Sequence, residues 1–349
     1  MRRLHTGRRR HPARPPRARP GPVARRRPRG PGGQPLPLHR LRGHPARRGG
    51  LGRWGGIGVT RAFRPTDLAE ALRLLADVDL GARPIAGCTD LLVSKTAVGW
   101  SPAAVVDLLR LEELRGVRRE GERIDVGAAV TFAELRADPL VRQHLPILAE
   151  AAATVGAWQV QNRATLGGNL ANASPAGDSL PVLAALGAEL QLATADGERR
   201  VAYDDFHLAY RRTALLPGEL IVRVRLPVPA PDAVGAFKKV GTRAASAISK
   251  VVVAFAARAG GGVLREVRLA AGSVAPTPLR LRAAERVLEG SAPDATAADA
   301  ASSAARGAVQ PIDDVRSTAA YREWVLGRVV RRMVLEVGEA RTRAGTAAG

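Results

Sequence analysis

The sequence is poor in the residues that form cross-links and metal centres. Its 349 residues include one cysteine, Cys88, which excludes an internal disulfide. A single thiol also excludes an iron–sulfur cluster held by this chain alone, because such a cluster needs several thiolates. Only His144 and His207 follow residue 58, so a zinc site has almost no candidate ligands there. Any redox chemistry must therefore depend on an organic cofactor.

Long apolar stretches are missing as well. The longest unbroken apolar run covers residues 251–257, whereas a helix that spans a bilayer needs about 20 apolar residues. Apolar residues nevertheless make up 46% of the chain, enough for a substantial core. We therefore expect a globular protein of two or three domains, without a membrane span and with a cytoplasmic location.

Acidic residues are missing from one part of the chain. Residues 1–58 contain 17 arginines and no aspartate, glutamate or lysine. The other residues hold 37 basic and 32 acidic side chains, so their net charge is +5, compared with +22 for the whole chain. The extreme charge therefore belongs to a segment rich in arginine, proline and glycine. Because this segment lacks apolar periodicity, it cannot form a packed core, and we expect it to be disordered.

Three interpretations of residues 1–58 are open. The first is a basic arm that binds nucleic acid, since phosphate contacts need only a high density of arginine. The second is a targeting peptide, although no apolar stretch follows and ten prolines disfavour an amphipathic helix. The third, which we favour, is out-of-frame translation of GC-rich DNA from a start assigned too early, with the true start near Val59. The chain has only four lysines, which agrees with a GC-rich genome.

Adjacent glycines mark the most informative loop, at residues 165–181. Gly167 and Gly168 carry no Cβ, so the backbone can approach a ligand closely. Hydroxyl and amide groups of Thr165 and Asn169 flank the two glycines. Alone, the loop is also typical of an ordinary turn before a helix.

A second glycine loop lies upstream, around Gly87. It stands between a short predicted strand, 84–86, and a helix predicted to begin at Asp90. An amphipathic helix precedes it, with Thr66 as the expected N-cap and apolar residues at helical spacing from Leu68 onward. Backbone N–H groups in such a turn, beside a helix N-terminus, form a phosphate site. Two loops of this kind fit one diphosphate.

Together these motifs resemble the FAD-binding medium subunits of the molybdenum hydroxylases, the xanthine dehydrogenase and carbon monoxide dehydrogenase group. The resemblance covers roughly residues 60–340, and the motifs occur in the family's order. They are Ala-Gly-Cys-Thr-Asp at 86–90, Thr-Leu-Gly-Gly-Asn at 165–169, Asn-Ala-Ser-Pro-Ala-Gly-Asp-Ser at 172–179, and the segments 237–243, 272–278 and 313–322.

The resemblance implies an α+β fold. Residues 59–230 would form a two-subdomain FAD-binding fold of the vanillyl-alcohol-oxidase-like type, with subdomains at about 59–115 and 116–230. Residues 232–340 would form a C-terminal α+β domain, a small antiparallel sheet with helices. The apolar patterns agree, since they predict strands near 236–240, 249–257 and 264–271 and helices at 278–289, 295–308 and 318–336.

Local signals predict several elements before residue 230. Thr131 is predicted to cap a helix, and residues 189–203 are predicted to form a hairpin. Residues 220–226 end by alternating apolar and basic side chains. We therefore expect one buried face and one wet face that carries Arg223 and Arg225.

The resemblance also implies which residues bind FAD. The first loop would contribute Pro84, Ile85, Ala86, Gly87, Cys88, Thr89, Asp90 and Leu91. The second loop would contribute Thr165, Leu166, Gly167, Gly168 and Asn169. Both loops would clasp the FAD diphosphate and ribityl chain through backbone N–H groups, with added contacts from Asp178, Ile221 and Lys238. No catalytic residue and no metal ligand is implied, because flavin carries the chemistry.

Four of these assignments have open alternatives. Asp178 could instead partner the N-terminus of a helix at 179–187, and Ile221 could be an interior strand residue. Lys238 resembles a family lysine near the flavin ring but could be a solvated strand residue. Cys88 stands where many relatives carry glycine, so it is either an incidental small residue or a redox-sensitive thiol.

By resemblance, the protein is an oxidoreductase subunit of a heteromeric complex. A large partner subunit would oxidise the organic substrate at a molybdopterin, and a small partner would carry two [2Fe–2S] clusters. Electrons would reach FAD in this chain and then NAD⁺ or another acceptor. The helix at 318–336 and the basic residues near Arg211 and Arg223 are candidate docking surfaces, although solvated faces explain them equally well. The alternatives are a stand-alone flavin oxidoreductase and a nucleic-acid-binding protein that acts through residues 1–58.

Overall fold

The computed structural model describes residues 60–91, 93 and 102–347. The arginine-rich segment 1–58 and nearly all of the helix predicted from Asp90 lie outside the described residues. Three hydrophobic cores organise the described residues. No helix in this part of the chain is long and apolar enough to cross a membrane.

The N-terminal unit is a small parallel sheet with one helix. Its elements are β1 (Arg61–Phe63), α1 (Leu68–Ala76), β2 (Ala82–Ile85) and β3 (Ala104–Asp107). The strands pair in the order β1–β3–β2, and both pairings are parallel. Ala71 and Leu72 of the helix belong to one small core with Val106 of the central strand. The amphipathic pattern of α1 therefore places its apolar side against the sheet.

The start of α1 differs from the expectation by one residue. Asp67, and not Thr66, is the N-cap, because its carboxylate accepts a hydrogen bond from the Glu70 backbone N–H at 2.7 Å. The Glu70 carboxylate in turn accepts from the Thr66 backbone N–H. Asp and Thr are both good N-caps, so local sequence alone does not separate them.

An antiparallel sheet and a layer of short helices form the middle unit. Its strands are β4 (Val117–Glu120), β5 (Arg123–Gly127), β6 (Glu189–Thr194), β7 (Gly197–Ala202) and β10 (Leu220–Pro227), with a small ladder of β8 (His207–Ala209) and β9 (Arg212–Thr213). Its helices are α2 (Phe132–Ala137), α3 (Pro139–His144), α4 (Pro146–Thr154), α5 (Trp158–Gln161), α6 (Leu166–Asn172) and α7 (Leu180–Ala185). The large sheet has the order β4–β5–β10–β6–β7. The β6–β7 hairpin and the capping of α2 by Thr131 agree with the sequence patterns.

Strand β10 is buried on both faces, contrary to the expected wet face. It lies at the centre of the five-stranded sheet, and Arg223 is only 7% exposed. Arg223 donates to the Glu113 carbonyl at 2.8 Å, and Arg225 donates to Asp125 at 3.1 Å. The prediction was wrong because the alternation of residues along one strand does not reveal partners so distant in sequence. Of the basic residues proposed for docking, Arg211 is exposed.

The C-terminal unit is a four-stranded antiparallel sheet with three helices, which confirms this part of the fold prediction. Its elements are β11 (Ala233–Val240), β12 (Val251–Gly260), β13 (Val263–Gly272), β14 (Leu279–Arg280), α8 (Arg282–Leu288), α9 (Ala295–Gly307) and α10 (Ala319–Ala347). The strand order follows the sequence, β11–β12–β13–β14. Phe255 and Leu269 of the sheet share a core with Leu326 and Val330 of α10.

The middle and C-terminal units share a continuous core. Leu148 of α4 and Leu183 of α7 belong to the same cluster as Val252 and Ala270 of the C-terminal sheet. The segment 172–181, which follows the second glycine loop, runs between these units. That loop is therefore attached to both.

Candidate functional site

The first glycine loop leaves β2 with unpaired backbone donors. Cys88 has a φ of +60°, so the chain turns through the left-handed region directly after Gly87. The backbone N–H groups of Gly87, Cys88 and Thr89 have no hydrogen-bond acceptor among the described residues. Successive N–H groups in such a turn form a concavity that binds anions. The first loop is therefore free to donate to a phosphate.

A close backbone contact joins the two loops. A Cβ placed on Gly87 would lie 1.8 Å from the carbonyl oxygen of Arg163 and 3.0 Å from the Cα of Ala164. No side chain larger than hydrogen fits without moving one backbone. The glycine therefore serves chain packing here, and it holds the first loop against the residue that precedes Thr165.

The second loop is held by its own protein partners. Thr165 caps α6 by accepting a hydrogen bond from the Gly168 N–H at 3.0 Å. The Leu166 and Gly167 N–H groups donate to carbonyls in the 128–130 segment at 3.0 and 2.8 Å. Free N–H donors are therefore found in the first loop, whereas the N–H groups of residues 166–169 in the second loop already have partners.

The two glycines of the second loop have different surroundings. A Cβ on Gly167 would lie 2.7 Å from the Cβ of Ala128, so this glycine allows α6 to pack closely on the chain that follows β5. A Cβ on Gly168 would meet only the Thr165 hydroxyl within 4 Å. Gly168 therefore leaves an open place that a ligand can occupy.

Both loops line one cleft of about 570 Å³, a volume that includes its open mouth. Seven of the residues proposed for the site lie on its walls: Pro84, Ile85, Ala86, Thr165, Gly167, Gly168 and Ile221. Leu108, Leu114 and Leu220 supply apolar surface beside them. Gly87, Cys88 and Thr89 follow directly after the lining residue Ala86 but are not on the walls themselves, and neither are Asp90, Leu91, Leu166, Asn169 and Asp178. Apolar walls and a bare glycine surface, with free N–H donors next to them in the chain, fit a flat aromatic ring joined to a diphosphate.

Glu219 lines the same cleft, and sequence reasoning missed it. Its side chain is 1% exposed and accepts two hydrogen bonds from Arg199, at 2.7 and 2.8 Å. The Leu216 N–H donates to it as well, at 2.9 Å. Although burial alone would raise it, the pKa of Glu219 is lowered by these hydrogen bonds. The anionic carboxylate thus fixes the turn before β10. In the sequence, only the Pro-Gly pair at 217–218 indicates this turn, and nothing indicates the role of Glu219.

Asp178 is buried at the junction of the middle and C-terminal units. It is 7% exposed, and it accepts hydrogen bonds from Lys239 Nζ, at 2.5 Å, and from the Ser249 hydroxyl. Lys239 Nζ also donates to the Thr154 carbonyl at 2.8 Å. Burial raises the pKa of Asp178, whereas Lys239 and Ser249 oppose the rise. Ser179 is the N-cap of α7, and the hydrogen bonds of Asp178 come from Lys239 and Ser249.

Two adjacent lysines of β11 point to different surroundings. Lys238 is 47% exposed, and its Nζ lies 3.3 Å from Glu336 on α10. It is not among the residues that line the cleft, whereas Lys239 reaches Asp178. The flavin roles of Lys238 and Asp178 stay predictions. The sequence alone indicates no role for Lys239.

Cys88 faces back toward its own loop. Its thiol donates to the Ala86 carbonyl at 3.3 Å and is half-buried. Burial raises the pKa of this thiol, with the positive charge of Arg163 opposing. A thiol kept protonated is a poor nucleophile, which favours the incidental-residue interpretation.

Two family models match the chain over most of its length. Residues 58–229 match the FAD binding domain in molybdopterin dehydrogenase, and residues 235–337 match the CO dehydrogenase flavoprotein C-terminal domain. Fold and site therefore define an FAD-binding oxidoreductase subunit.

Relatives narrow this class to one family. The carbon monoxide dehydrogenase medium chain of Hydrogenophaga pseudoflava is 33% identical over 77% of this chain and 93% of its own length. The putative xanthine dehydrogenase FAD-binding subunit of Escherichia coli K12 is 31% identical over 78% of this chain and 94% of its own. The chain belongs to the FAD-binding medium subunits of the molybdenum hydroxylase family.

Solved structures agree with the sequence comparison. A carbon monoxide dehydrogenase from Hydrogenophaga pseudoflava, which lacks the Mo-pyranopterin moiety of the molybdenum cofactor, matches with a TM-score of 0.77 and 33% identity. The match covers 81% of this chain and 98% of that one. Quinoline 2-oxidoreductase from Pseudomonas putida 86 matches with a TM-score of 0.76 and 30% identity, over 80% and 97% of the two chains.

Proposed function

We propose that this chain is the electron-transferring flavin subunit of a molybdenum-containing hydroxylase or dehydrogenase. It receives electrons from the [2Fe–2S] clusters of a small partner subunit and delivers them to NAD⁺ or another acceptor. The organic substrate reacts on a large, molybdopterin-binding partner. The observation that supports the proposal most is the cleft, since residues 84–86 line it together with Thr165, Gly167 and Gly168, and Gly87 lies against the backbone of Arg163 beside it. Because the chain has a single cysteine, the clusters must belong to a partner.

The two loops and the residues around them have distinct tasks in this proposal. FAD supplies the redox chemistry when it is bound. The free N–H groups of 87–89 donate to its diphosphate, and Gly168 gives the cofactor close access to the backbone. Ile221 packs on the flavin ring. Asp178 hydrogen-bonds the cofactor, with Lys239 holding the carboxylate in place.

Purification of the complex from its host tests this function. We expect a flavin absorption spectrum with one FAD per copy of this chain, and two partner subunits that contain molybdenum and iron. Substrate-driven reduction of NAD⁺, compared with that of an artificial dye, identifies the acceptor. Cell fractionation tests the proposed cytoplasmic location. A complex that carries no FAD and takes none up would overturn the proposal.

A further inference from the structure

A buried arginine near the start of α10 reaches across the C-terminal sheet. Arg322 is 4% exposed, and its guanidinium donates to the carbonyls of Lys250 and Ser273, at 2.9 and 3.0 Å. It also donates to Asp314 at 2.8 Å. Although burial alone would raise it, the pKa of Asp314 falls to about 2 through hydrogen bonds from Arg316, Ser317 and Arg322. Burying the Arg322 guanidinium is costly unless it is paired and hydrogen-bonded. Asp314 supplies the pair, so the two carbonyl contacts of Arg322 raise the question of what they stabilise.

One of these carbonyls belongs to Ser273 and the other follows Ser249, and both serines contact the segment 172–181 that continues the second glycine loop. Ser249 directly precedes Lys250, and its hydroxyl donates to Asp178. The Ser273 N–H donates to the Pro175 carbonyl at 2.8 Å, and the Ser273 hydroxyl donates to the Ser249 carbonyl at 2.9 Å. Pro175 and Asp178 belong to the segment that continues the second glycine loop. Arg322 is thus connected to that segment through two sets of contacts, one by way of Ser249 and Lys250 and one by way of Ser273.

The left-handed backbone conformation of Ser273 needs stabilising contacts from other residues. Its φ of +65° lies in the left-handed region, which is unfavourable for a residue with a side chain. Gly272 is equally confined, since a Cβ there would lie 2.9 Å from the Pro175 carbonyl oxygen. Strained backbone persists only where its surroundings fix it. The guanidinium of Arg322 at the Ser273 carbonyl supplies such a contact.

We propose that Arg322 is a positioning residue for the flavin site. It fixes the Lys250 and Ser273 peptides, which in turn hold Pro175 and Asp178 beside the second glycine loop. The proposal rests on the proposed flavin site, and it gives the C-terminal motif 313–322 a task in cofactor binding.

Arg322→Lys in the full chain tests the proposal. Lysine keeps the positive charge but cannot reach two carbonyls and a carboxylate together. We expect FAD affinity to fall about tenfold, the value of one charged hydrogen bond, in a titration well below the unfolding temperature. Amide hydrogen exchange within residues 172–179 should become faster. Arg306→Lys is the matched control, because Arg306 of α9 forms an exposed ion pair with Glu323, the neighbour of Arg322 on α10, and it should change neither quantity.

Ser273→Gly keeps the test decisive if Arg322→Lys fails to fold. Glycine tolerates the left-handed backbone but removes the hydroxyl that binds Ser249. We expect FAD affinity to fall about threefold. The Ser273→Gly, Arg322→Lys double variant should lose less affinity than the product of the two single losses, because both residues act through the same contacts.

Two results would overturn the proposal. One is an Arg322→Lys protein that unfolds at a lower temperature but keeps wild-type FAD affinity and exchange, since this describes a purely structural role. The other is a Ser273→Gly protein with unchanged affinity. If the wild-type chain itself binds no FAD, the proposed function fails instead. If Gly168→Trp loses FAD while Arg322→Lys retains it fully, only the present inference fails.

Discussion

The two glycine loops meet at one cleft but are built in opposite ways. The loop at 86–90 leaves the N–H groups of 87–89 without acceptors among the described residues, and Cys88 holds a left-handed conformation. In the loop at 165–169, the N–H groups of residues 166–169 already have partners, and Thr165 caps a helix. The second loop is thus a surface preformed by the protein, whereas the first supplies donors that a ligand completes. We call the second loop, 165–169, the floor of the site and the first loop, 86–90, its clamp.

The segment 172–181, which continues the second loop, is supported by the C-terminal sheet. Asp178 is bound by Lys239 and Ser249, both beyond residue 230. Among the described residues, the first loop forms no comparable ion pair, and Gly87 contacts the backbone of Arg163 closely. We therefore expect damage to the second loop to affect folding and FAD binding together, and damage to the first to act mainly on binding.

Removing Lys239 should have the largest effect. Lys239→Met leaves the buried Asp178 carboxylate without its cation, and the loss of one partner of a buried pair costs about 3–5 kcal/mol. The adjacent Lys238→Met is the matched control, because its exposed pair with Glu336 contributes at most about 1 kcal/mol. Denaturant unfolding of both variants measures the difference. Equal losses would contradict the role of Lys239 as the support.

The deficit of Lys239→Met should also depend on pH. Burial raises the pKa of Asp178 in the folded chain, so folding is favoured most when this group is protonated. Its contribution is full below the unfolded pKa of about 4 and is lost as pH rises through the folded pKa. Without Lys239 the folded pKa rises further, so the deficit should be largest near neutral pH and shrink toward pH 4, as seen in unfolding midpoints.

Filling the floor of the cleft is the next largest change. Gly168→Trp places an indole where a Cβ would meet only the Thr165 hydroxyl within 4 Å, and FAD affinity should fall at least about 100-fold, or some 2.7 kcal/mol. Gly307→Trp, at an open surface position, should leave binding unchanged. Retention of FAD by Gly168→Trp, measured by absorbance after gel filtration, would exclude the second loop from the site.

Separating the loops should cost less. Gly87→Ala forces a Cβ against the Arg163 carbonyl, so one backbone must move, at about 1–3 kcal/mol for overpacking. We expect FAD affinity to fall about tenfold, by titration, as the clamp shifts from the floor. Gly307→Ala is the control, because nothing lies within 4 Å of its Cβ position. Unchanged binding in Gly87→Ala would mean that the contact between the loops does not matter.

Relieving the strain at Cys88 should have the smallest effect, and a favourable one. Cys88→Gly removes a left-handed cost of about 1–2 kcal/mol, partly offset by about 0.5–1 kcal/mol from the greater freedom of the unfolded chain. The midpoint of thermal unfolding should rise slightly, with FAD binding retained. A clear loss of binding would instead give the thiol a role at the cofactor.

Local patterns were sufficient for much of the fold. The Thr131 cap, the 189–202 hairpin and the antiparallel C-terminal sheet depend on neighbouring residues, and each agrees with its sequence signal. The resemblance supplied the cofactor and both loops, because family motifs keep distant segments in a known order.

Features that depend on long-range contacts were not accessible from the sequence. The burial of Arg223 requires the carbonyl of Glu113, on a distant turn. Whether Lys238 or Lys239 faces Asp178 depends on strand register, since adjacent residues lie on opposite faces. The role of Gly87 as a contact with the other loop needs the fold itself. Each of these features concerns the junctions where the site is assembled.

Amide hydrogen exchange of the full chain, with and without FAD, tests the central claim most directly. The account predicts that residues 87–89 exchange rapidly in the absence of FAD and slow markedly when FAD is bound. Residues 166–169 should be protected in both states, because their N–H groups already have protein partners. Unchanged exchange at 87–89 in the FAD-bound protein would contradict the account, since the first loop would then not be the part of the site that the ligand completes.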